Sequence, residues 1–328
     1  EFAKRIDTYE LVIFHSLISG FEKVLVQLKS QVPVLWIGWG GDYYDLIWDD
    51  PGRLYYAQTR SWLAKKRFGS QSWQQPFRRL IKQIQKGLNL DSFRKRRLNA
   101  IRRIDYFSPA LESEFDLLKK KFPKTFERTK FIDWWYSSCD FTDDFFPKPE
   151  KLGDSILVGN NSFPSNNLLE TIDWLAKTPE IENRQMIFPI SYGDAEYQRE
   201  VLQKGQKVLG ERFFPLTEII AKADYFSLLA SCSHAVFRHR RQHAGGAVLG
   251  LLSMGTRIIF PKENLIYKYM IQNGVVVNSV EEVEKNPGLL KIPLNQSQIE
   301  HNRKIIFEIK GKDCASSQMI QFLDRLKA

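Results

Sequence analysis

Short apolar runs recur along the chain, each closed by glycine, proline or a polar turn. They are Leu11–Phe14, Val34–Ile37, the stretches IDYFSP and KFIDWWY, then Ile156–Val158, Met186–Pro189, Ala235–Phe237, Arg257–Phe260 and Val275–Val277. Runs this short and this continuous predict strands. Between them lie stretches with apolar residues at helical spacing: Asn166–Ala176, Ala195–Val208, Thr217–Ala230, Gly246–Met254 and Leu265–Gln272, and the tail 297–328 has the same periodicity. Such alternation predicts an α/β chain built on parallel sheets. The rhythm breaks at FTDDFFPKPEKLGD, residues 141–154, which reads as a linker. Two domains are therefore expected, 1–150 and 151–296, with the helices of 297–328 packing back toward the first. The first half opens in the middle of a sheet, so further strands are expected upstream of it.

Charge changes this picture in one place. The 328 residues carry a net charge of +10, yet residues 53–103 hold fifteen Lys and Arg against the single acid Asp91. The basic character belongs to that segment and not to the fold. Within it Phe77, Leu80, Ile81, Ile84 and Leu88 form an apolar stripe at helical spacing. A stripe flanked by cations suits a helix lying on an anionic membrane, although a hairpin packed on its own domain, or an RNA-binding surface, has the same pattern. No apolar run approaches the eighteen residues of a spanning helix. The three cysteines, Cys139, Cys232 and Cys314, form no CxxC pair, which fits a reducing compartment.

Three strand-end loops carry candidate chemistry. In SILVGNNSFPSNNLLETIDWLA, residues 155–176, a strand delivers the chain to Asn160 and Asn161, and Ser165 is placed to cap a helix beginning at Asn166. A helix start there offers N–H groups to a phosphate; a plain tight turn is the alternative. In HAVFRHRRQHAGG, residues 234–246, a strand leads into Arg238, His239, Arg240 and Arg241, then Gln242, His243 and the pair Gly245-Gly246. Arginine clamps phosphate oxygens, and glycines permit close backbone approach. The sequence is neither a Walker loop nor GxGxxG. His239 and His243 are four apart, but a loop does not hold them on one face, and no metal site is expected. In WIGWGGDYYDL a strand ends in glycines before Asp42, a candidate general base or helix cap, and His15 ends the preceding strand. Tyr192 in ISYGDAEYQREV is placed to stack on a base or sugar, with Asp194 as a helix cap. The acidic pairs WDD and FTDDFF lack strand-end context, so metal-independent chemistry is expected.

Five segments in order, FHSLISG (14–20), WGGDYYDL (39–46), ILVGNNSFPSNN (156–167), FPISYGDAEYQREV (188–201) and FRHRRQHAGGAVLGLLSMGTRIIFPKEN (237–264), give the chain a family resemblance. It resembles the TDP-N-acetylfucosamine:lipid II N-acetylfucosaminyltransferases of enterobacterial common antigen synthesis. The resemblance implies a GT-B fold, two Rossmann-like domains facing a cleft, with the nucleotide-sugar donor held mainly by the C-terminal one. It implies no cofactor and no metal, a polyprenyl-diphosphate-linked glycan as acceptor, and a place at the inner face of the cytoplasmic membrane, with 53–103 meeting the anionic surface. No nucleic-acid partner is expected. Asn160, Asn161, Ser165, Asn166 and Tyr192 would lie near the donor, with Gln242, Gly245 and Gly246 at its diphosphate. Arg238 would stabilise the leaving group, and Asp42 or His15 would take the acceptor proton. A non-catalytic membrane- or RNA-binding protein on the same fold is the second reading.

Overall fold

A computed structural model describes residues 6, 8–28, 31–48, 50, 53–68, 92–133, 149, 152–181 and 183–327. The chain divides into two compact units. One comprises Glu1–Asp49 and Leu63–Trp135, the other Asp50–Trp62 and Tyr136–Ala328. The segment Asp50–Trp62, inside the first domain by sequence, is thus built into the second unit. The apolar stripe at 77–88 and most of the linker lie outside the described residues.

The first unit carries a four-stranded parallel sheet in the order β1 (Val12–His15), β2 (Val34–Ile37), β3 (Tyr106–Ser108), β4 (Lys130–Phe131). All four residues of β2 are buried, as expected of a strand covered on both faces. Trp36 stacks on Phe107 at 4.2 Å and meets Tyr43 edge-on at 5.9 Å. Glu114, fully buried, accepts the hydroxyls of Tyr43 (2.7 Å) and Tyr44 (2.5 Å) and the amide of Leu111 (3.1 Å). A buried carboxylate persists because its lone pairs are filled in this way.

The second unit carries six parallel strands: β5 (Ser155–Val158), β6 (Met186–Pro189), β7 (Phe213–Leu216), β8 (Cys232–Val236), β9 (Arg257–Phe260) and β10 (Asn278–Ser279). Their spatial order is β10-β9-β8-β5-β6-β7. The first strand therefore sits beside both the second and the fourth, which is the doubly wound, Rossmann-like order. Ile156, Val158, Phe188, Val236 and Ile259 from the strands close a core with Leu168, Leu169, Ile172 and Leu175 of the helix Leu168–Ala176. Asp194 caps the helix Ala195–Leu209, accepting from the amides of Glu196 and Tyr197 as its spacing predicts.

Four local expectations change. Strand β7 falls between two predicted helices; Pro215 within it masks the signal, and it is tolerated because β7 is an edge strand. The helix expected over Thr217–Ala230 begins only at Lys222. The strand expected at Val275–Val277 lies at Asn278–Ser279, because the buried Asn302 side chain bonds both the amide (2.7 Å) and the carbonyl (3.0 Å) of Val276 and so replaces a ladder there. Ser165 caps no helix. It lies in the 3-10 turn Pro164–Asn166, and the helix opens at Leu168 after Asn167 in a left-handed conformation, φ 53°. The helix Gln296–Lys310 packs on the helix Gly245–Met254, with Arg303 Nε donating to Ser253 O at 2.6 Å.

Candidate functional site

The neighbours β5 and β8 send their following loops, 159–167 and 237–244, outward from the carboxyl edge of the second sheet. In a doubly wound sheet this is the switch point where ligands bind. Asn167 joins the two loops. Its buried side-chain amide donates to Arg238 O (3.2 Å), to Ser165 O (3.2 Å) and to Leu54 O (3.1 Å), while its Oδ1 accepts from Tyr56 N (2.9 Å). Ser165 Oγ lies 2.8 Å from His243 Nε2. Asn161 Oδ1 accepts from Asn166 Nδ2 (2.6 Å) and Phe163 N (2.9 Å). The Oδ1 atoms of Asn160 and Asn166 are buried with no partner among the described residues. Of the predicted residues, then, Asn160, Asn161, Ser165, Asn166 and Arg238 meet at one edge.

Arg238 is the unusual member. Its guanidinium lies 5.0 Å from the ring of Tyr56 and 5.5 Å from that of Trp174. Its Nε is buried without a hydrogen-bond partner, and no carboxylate pairs with it among the described residues. The neighbouring Arg240 sits 4.2 Å over the same Tyr56 ring, but its Nε is 2.8 Å from Glu263 Oε1. Burial first, and Glu263 second, push the Tyr56 phenol up from its usual range, so the ring that meets the two cations stays neutral. A half-buried cation held by aromatic faces and left without an anion marks a place where an anion is stabilised.

Two imidazoles complete the loop. His239 is buried; its Nδ1 is 2.9 Å from Arg241 O and 2.9 Å from Asn264 Nδ2, and its Nε2 meets no partner among the described residues. Burial pushes its pKa down to about 3, and burial likewise pulls His243 well below the usual histidine range. Both are neutral at ordinary pH. The helix Gly245–Met254 begins beside them, and its first intrahelical acceptor, Ala244 O, bonds Val248 N, so the amides of Gly245 and Gly246 precede the ladder. A Cβ placed at Gly246 would meet nothing within 4 Å. Gln242 is buried in the same loop. Tyr192 is exposed at the end of the β6 loop, edge-on to the exposed Phe163 at 6.4 Å. Gly193 lets the two loops touch: its φ is 130°, and a Cβ there would fall 2.6 Å from Ser162 Oγ. Sequence reasoning missed Tyr56, Trp174 and Phe163. Trp174 reads as one more residue of an amphipathic helix, and nothing near Tyr56 in sequence places it at this edge.

The first unit places His15 and Asp42 at the carboxyl ends of β1 and β2. His15 is exposed, followed by Ser16 at a positive φ of 67°. Asp42 is not the cap of the next helix; Tyr43 occupies that position. Instead its carboxylate ties the two loops, accepting from Leu17 N (2.8 Å), Trp36 Nε1 (2.8 Å) and Trp39 N (2.9 Å). It borders a pocket of about 300 Å³ with Ser16, Ser19, Glu22, Asp45 and Arg97 among its walls. Arg97 pairs with Asp45 at 2.8 Å and donates to the carbonyl of Asp42.

The sequence profile described as 4-alpha-L-fucosyltransferase, glycosyl transferase group 56, matches residues 135–308. The chain belongs to this family. The match covers the strands and loops of the second unit described above, from β5 to beyond β10. Group 56 is the family of the N-acetylfucosaminyltransferase of enterobacterial common antigen synthesis, in agreement with the resemblance read from the motifs. No curated protein sequence matches the chain. Among solved structures, sucrose-phosphate synthase from Thermosynechococcus elongatus superposes over 97% of this chain and 74% of its own, with 13% identity and a TM-score of 0.60. HepE from Anabaena in complex with UDP-glucose superposes over 98% of this chain and 81% of its own, with 14% identity and a TM-score of 0.60. The N-terminal domain of Candida albicans trehalose-6-phosphate phosphatase covers 99% of this chain and 72% of its own, at 10% identity and a TM-score of 0.59. At these identities the likeness is one of fold, and the fold is GT-B.

The group 56 chain is a glycosyltransferase, and the non-catalytic reading falls with that membership. Glycosyl transfer from an activated sugar needs charge stabilisation on the departing group and a base for the incoming hydroxyl. The loop after β8 holds a cation, Arg238, and the amides before the 245–254 helix. Among the described residues no group of three or more His, Cys, Asp and Glu is placed to hold a metal ion. No described helix is long and apolar enough to cross a membrane.

Proposed function

We propose that the chain transfers an N-acetylfucosamine-like deoxy-amino sugar from a TDP-linked donor to a polyprenyl-diphosphate-linked glycan, at the inner face of the cytoplasmic membrane and without a metal ion. Membership of the 4-alpha-L-fucosyltransferase family supports the sugar class. The observation that carries the donor assignment is the Arg238 guanidinium, which meets Tyr56 and Trp174 and pairs with no carboxylate among the described residues. In the reaction the acceptor oxygen bonds to the anomeric carbon as the bond from that carbon to the phosphate oxygen breaks. The diphosphate leaves with the electron pair, and Arg238 with the amides of Gly245 and Gly246 stabilises the charge. The acceptor chemistry is assigned to the first unit. There His15, or Asp42 with its three donors, accepts the acceptor proton. The exposed Lys65, Lys66, Lys95 and Arg96 at either end of the basic segment support the membrane assignment.

Thermal unfolding in the presence of TDP, UDP, GDP and CMP, each with and without magnesium, tests this. A ligand at about 100 times its dissociation constant stabilises the native state by about 2.7 kcal/mol. TDP alone is expected to shift the midpoint, and magnesium to add nothing. A shift with another nucleotide discards the TDP donor, and the absence of any shift sinks the donor site.

A further inference from the structure

We propose that Tyr56 is a positioning residue for the donor diphosphate: its ring meets the guanidiniums of both Arg238 and Arg240, leaving Arg238 oriented and uncommitted for phosphate oxygens. The proposal rests on the donor reading above and deepens it.

Tyr56 lies between β2 and β3 in sequence, yet the second unit fixes its backbone on both sides. Its amide donates to Asn167 Oδ1 at 2.9 Å, and the Leu54 carbonyl accepts from the same side chain at 3.1 Å. Three residues on, Thr59 gives its amide (2.8 Å) and hydroxyl (2.6 Å) to the two oxygens of Glu170. The ring is therefore placed by Asn167, the residue that also bonds the carbonyl of Arg238.

Two guanidiniums that meet one ring repel each other in a half-buried setting. Here one ring attracts both, at 4.2 Å for Arg240 and 5.0 Å for Arg238, and Glu263 neutralises Arg240 alone. Arg238 has a ring beside it and no pairing carboxylate among the described residues, the arrangement suited to stabilising a leaving group without reorganisation. The Tyr56 hydroxyl is 3.3 Å from Glu263 Oε1, a long contact. The hydroxyl also bonds Arg240 but not Arg238, so the aromatic face alone acts on Arg238 and phenylalanine should serve in its place.

The test is calorimetric titration of TDP, inorganic pyrophosphate and thymidine into the full chain and into Tyr56→Phe, Tyr56→Leu, Tyr56→Met and Arg238→Ala. Tyr56→Phe is expected to bind all three as the parent does. Tyr56→Leu and Tyr56→Met, which fill the space without a π face, are expected to bind TDP and pyrophosphate about tenfold more weakly with thymidine unchanged. Their melting temperatures are expected to stay near that of the parent. Equal weakening for thymidine would make Tyr56 a mere wall and overturn the proposal. So would parental TDP binding in both aliphatic variants while Arg238→Ala loses it, an outcome that leaves the donor reading standing. If Arg238→Ala binds like the parent, or the parent binds neither TDP nor pyrophosphate, the donor reading falls and takes the proposal with it. One aliphatic variant that folds is enough to decide.

Discussion

Gly246 separates packing from function at the scale of a single residue. A glycine inside a helix ordinarily costs up to about 1 kcal/mol relative to alanine. Its retention calls for a reason, and the protein itself supplies none, because an added Cβ at Gly246 meets nothing within 4 Å. A ligand approaching the first amides of the helix would supply one. Gly246→Ala is therefore expected to leave the melting temperature equal or slightly raised and to weaken TDP binding. A variant that is stabilised and binds TDP normally would remove the 245–254 helix start from the donor site. Gly193 gives the contrast. Its Cβ would collide with Ser162 Oγ and Phe163 N, so its glycine is explained by the fold alone.

The segment 53–62 shows, at the scale of elements, how a site is assembled from parts that sequence keeps apart. Thr59 is fully buried, and its hydroxyl bonds Glu170 Oε2 at 2.6 Å and lies 2.9 Å from the Tyr197 hydroxyl, while Trp62 meets the Tyr197 ring edge-on at 5.0 Å. Burial drives the Tyr197 phenol above its usual range, so it stays protonated and available as a donor. Thr59→Val keeps the shape and removes the donor to Glu170 Oε2 together with the contact to the Tyr197 hydroxyl, which should cost about 1–3 kcal/mol. Chemical denaturation would measure it, and a loss below a few tenths would show that the segment is not anchored there. The strands of the second unit were legible because buried parallel strands are near-continuous apolar runs. So were the loops after β5 and β8, because glycine, asparagine and arginine cluster where those runs end. What sequence could not give were features set by tertiary contacts. Pro215 hid an edge strand, Asn302 displaced the start of β10, and Asn167 rather than Ser165 opened a helix. Tyr56 left no trace at all, since its role depends on a segment crossing from one unit to the other.

The molecule as a whole should respond to acid through the depressed imidazoles of the second unit, His243 among them, and the other two, His234 and His239, carry the prediction. His234 on β8 is held neutral: its Nδ1 faces Arg184 Nη2 at 3.0 Å and Ser233 Oγ at 2.9 Å, and its Nε2 lies 3.1 Å from Leu289 O. Burial first, then the Arg184 charge, lowers its pKa to about 3, and burial does the same to His239. In the unfolded chain both take up a proton near pH 6.5. Between these values the unfolded state binds more protons, so stability is complete above about pH 6.5 and falls as pH falls toward 3, each histidine contributing about 1.4 kcal/mol per pH unit. His234→Gln should lower stability at neutral pH and flatten the dependence by that amount. His239→Gln should do the same and also disturb nucleotide binding, because His239 stands in the Arg238–His243 loop and His234 does not. Urea denaturation between about pH 7 and about pH 5 would test both variants. Unchanged slopes would mean that the two imidazoles do not resist protonation in the folded chain. Equal loss of TDP binding in the two variants would mean that the loop after β8 is no more involved with the nucleotide than the strand that leads to it.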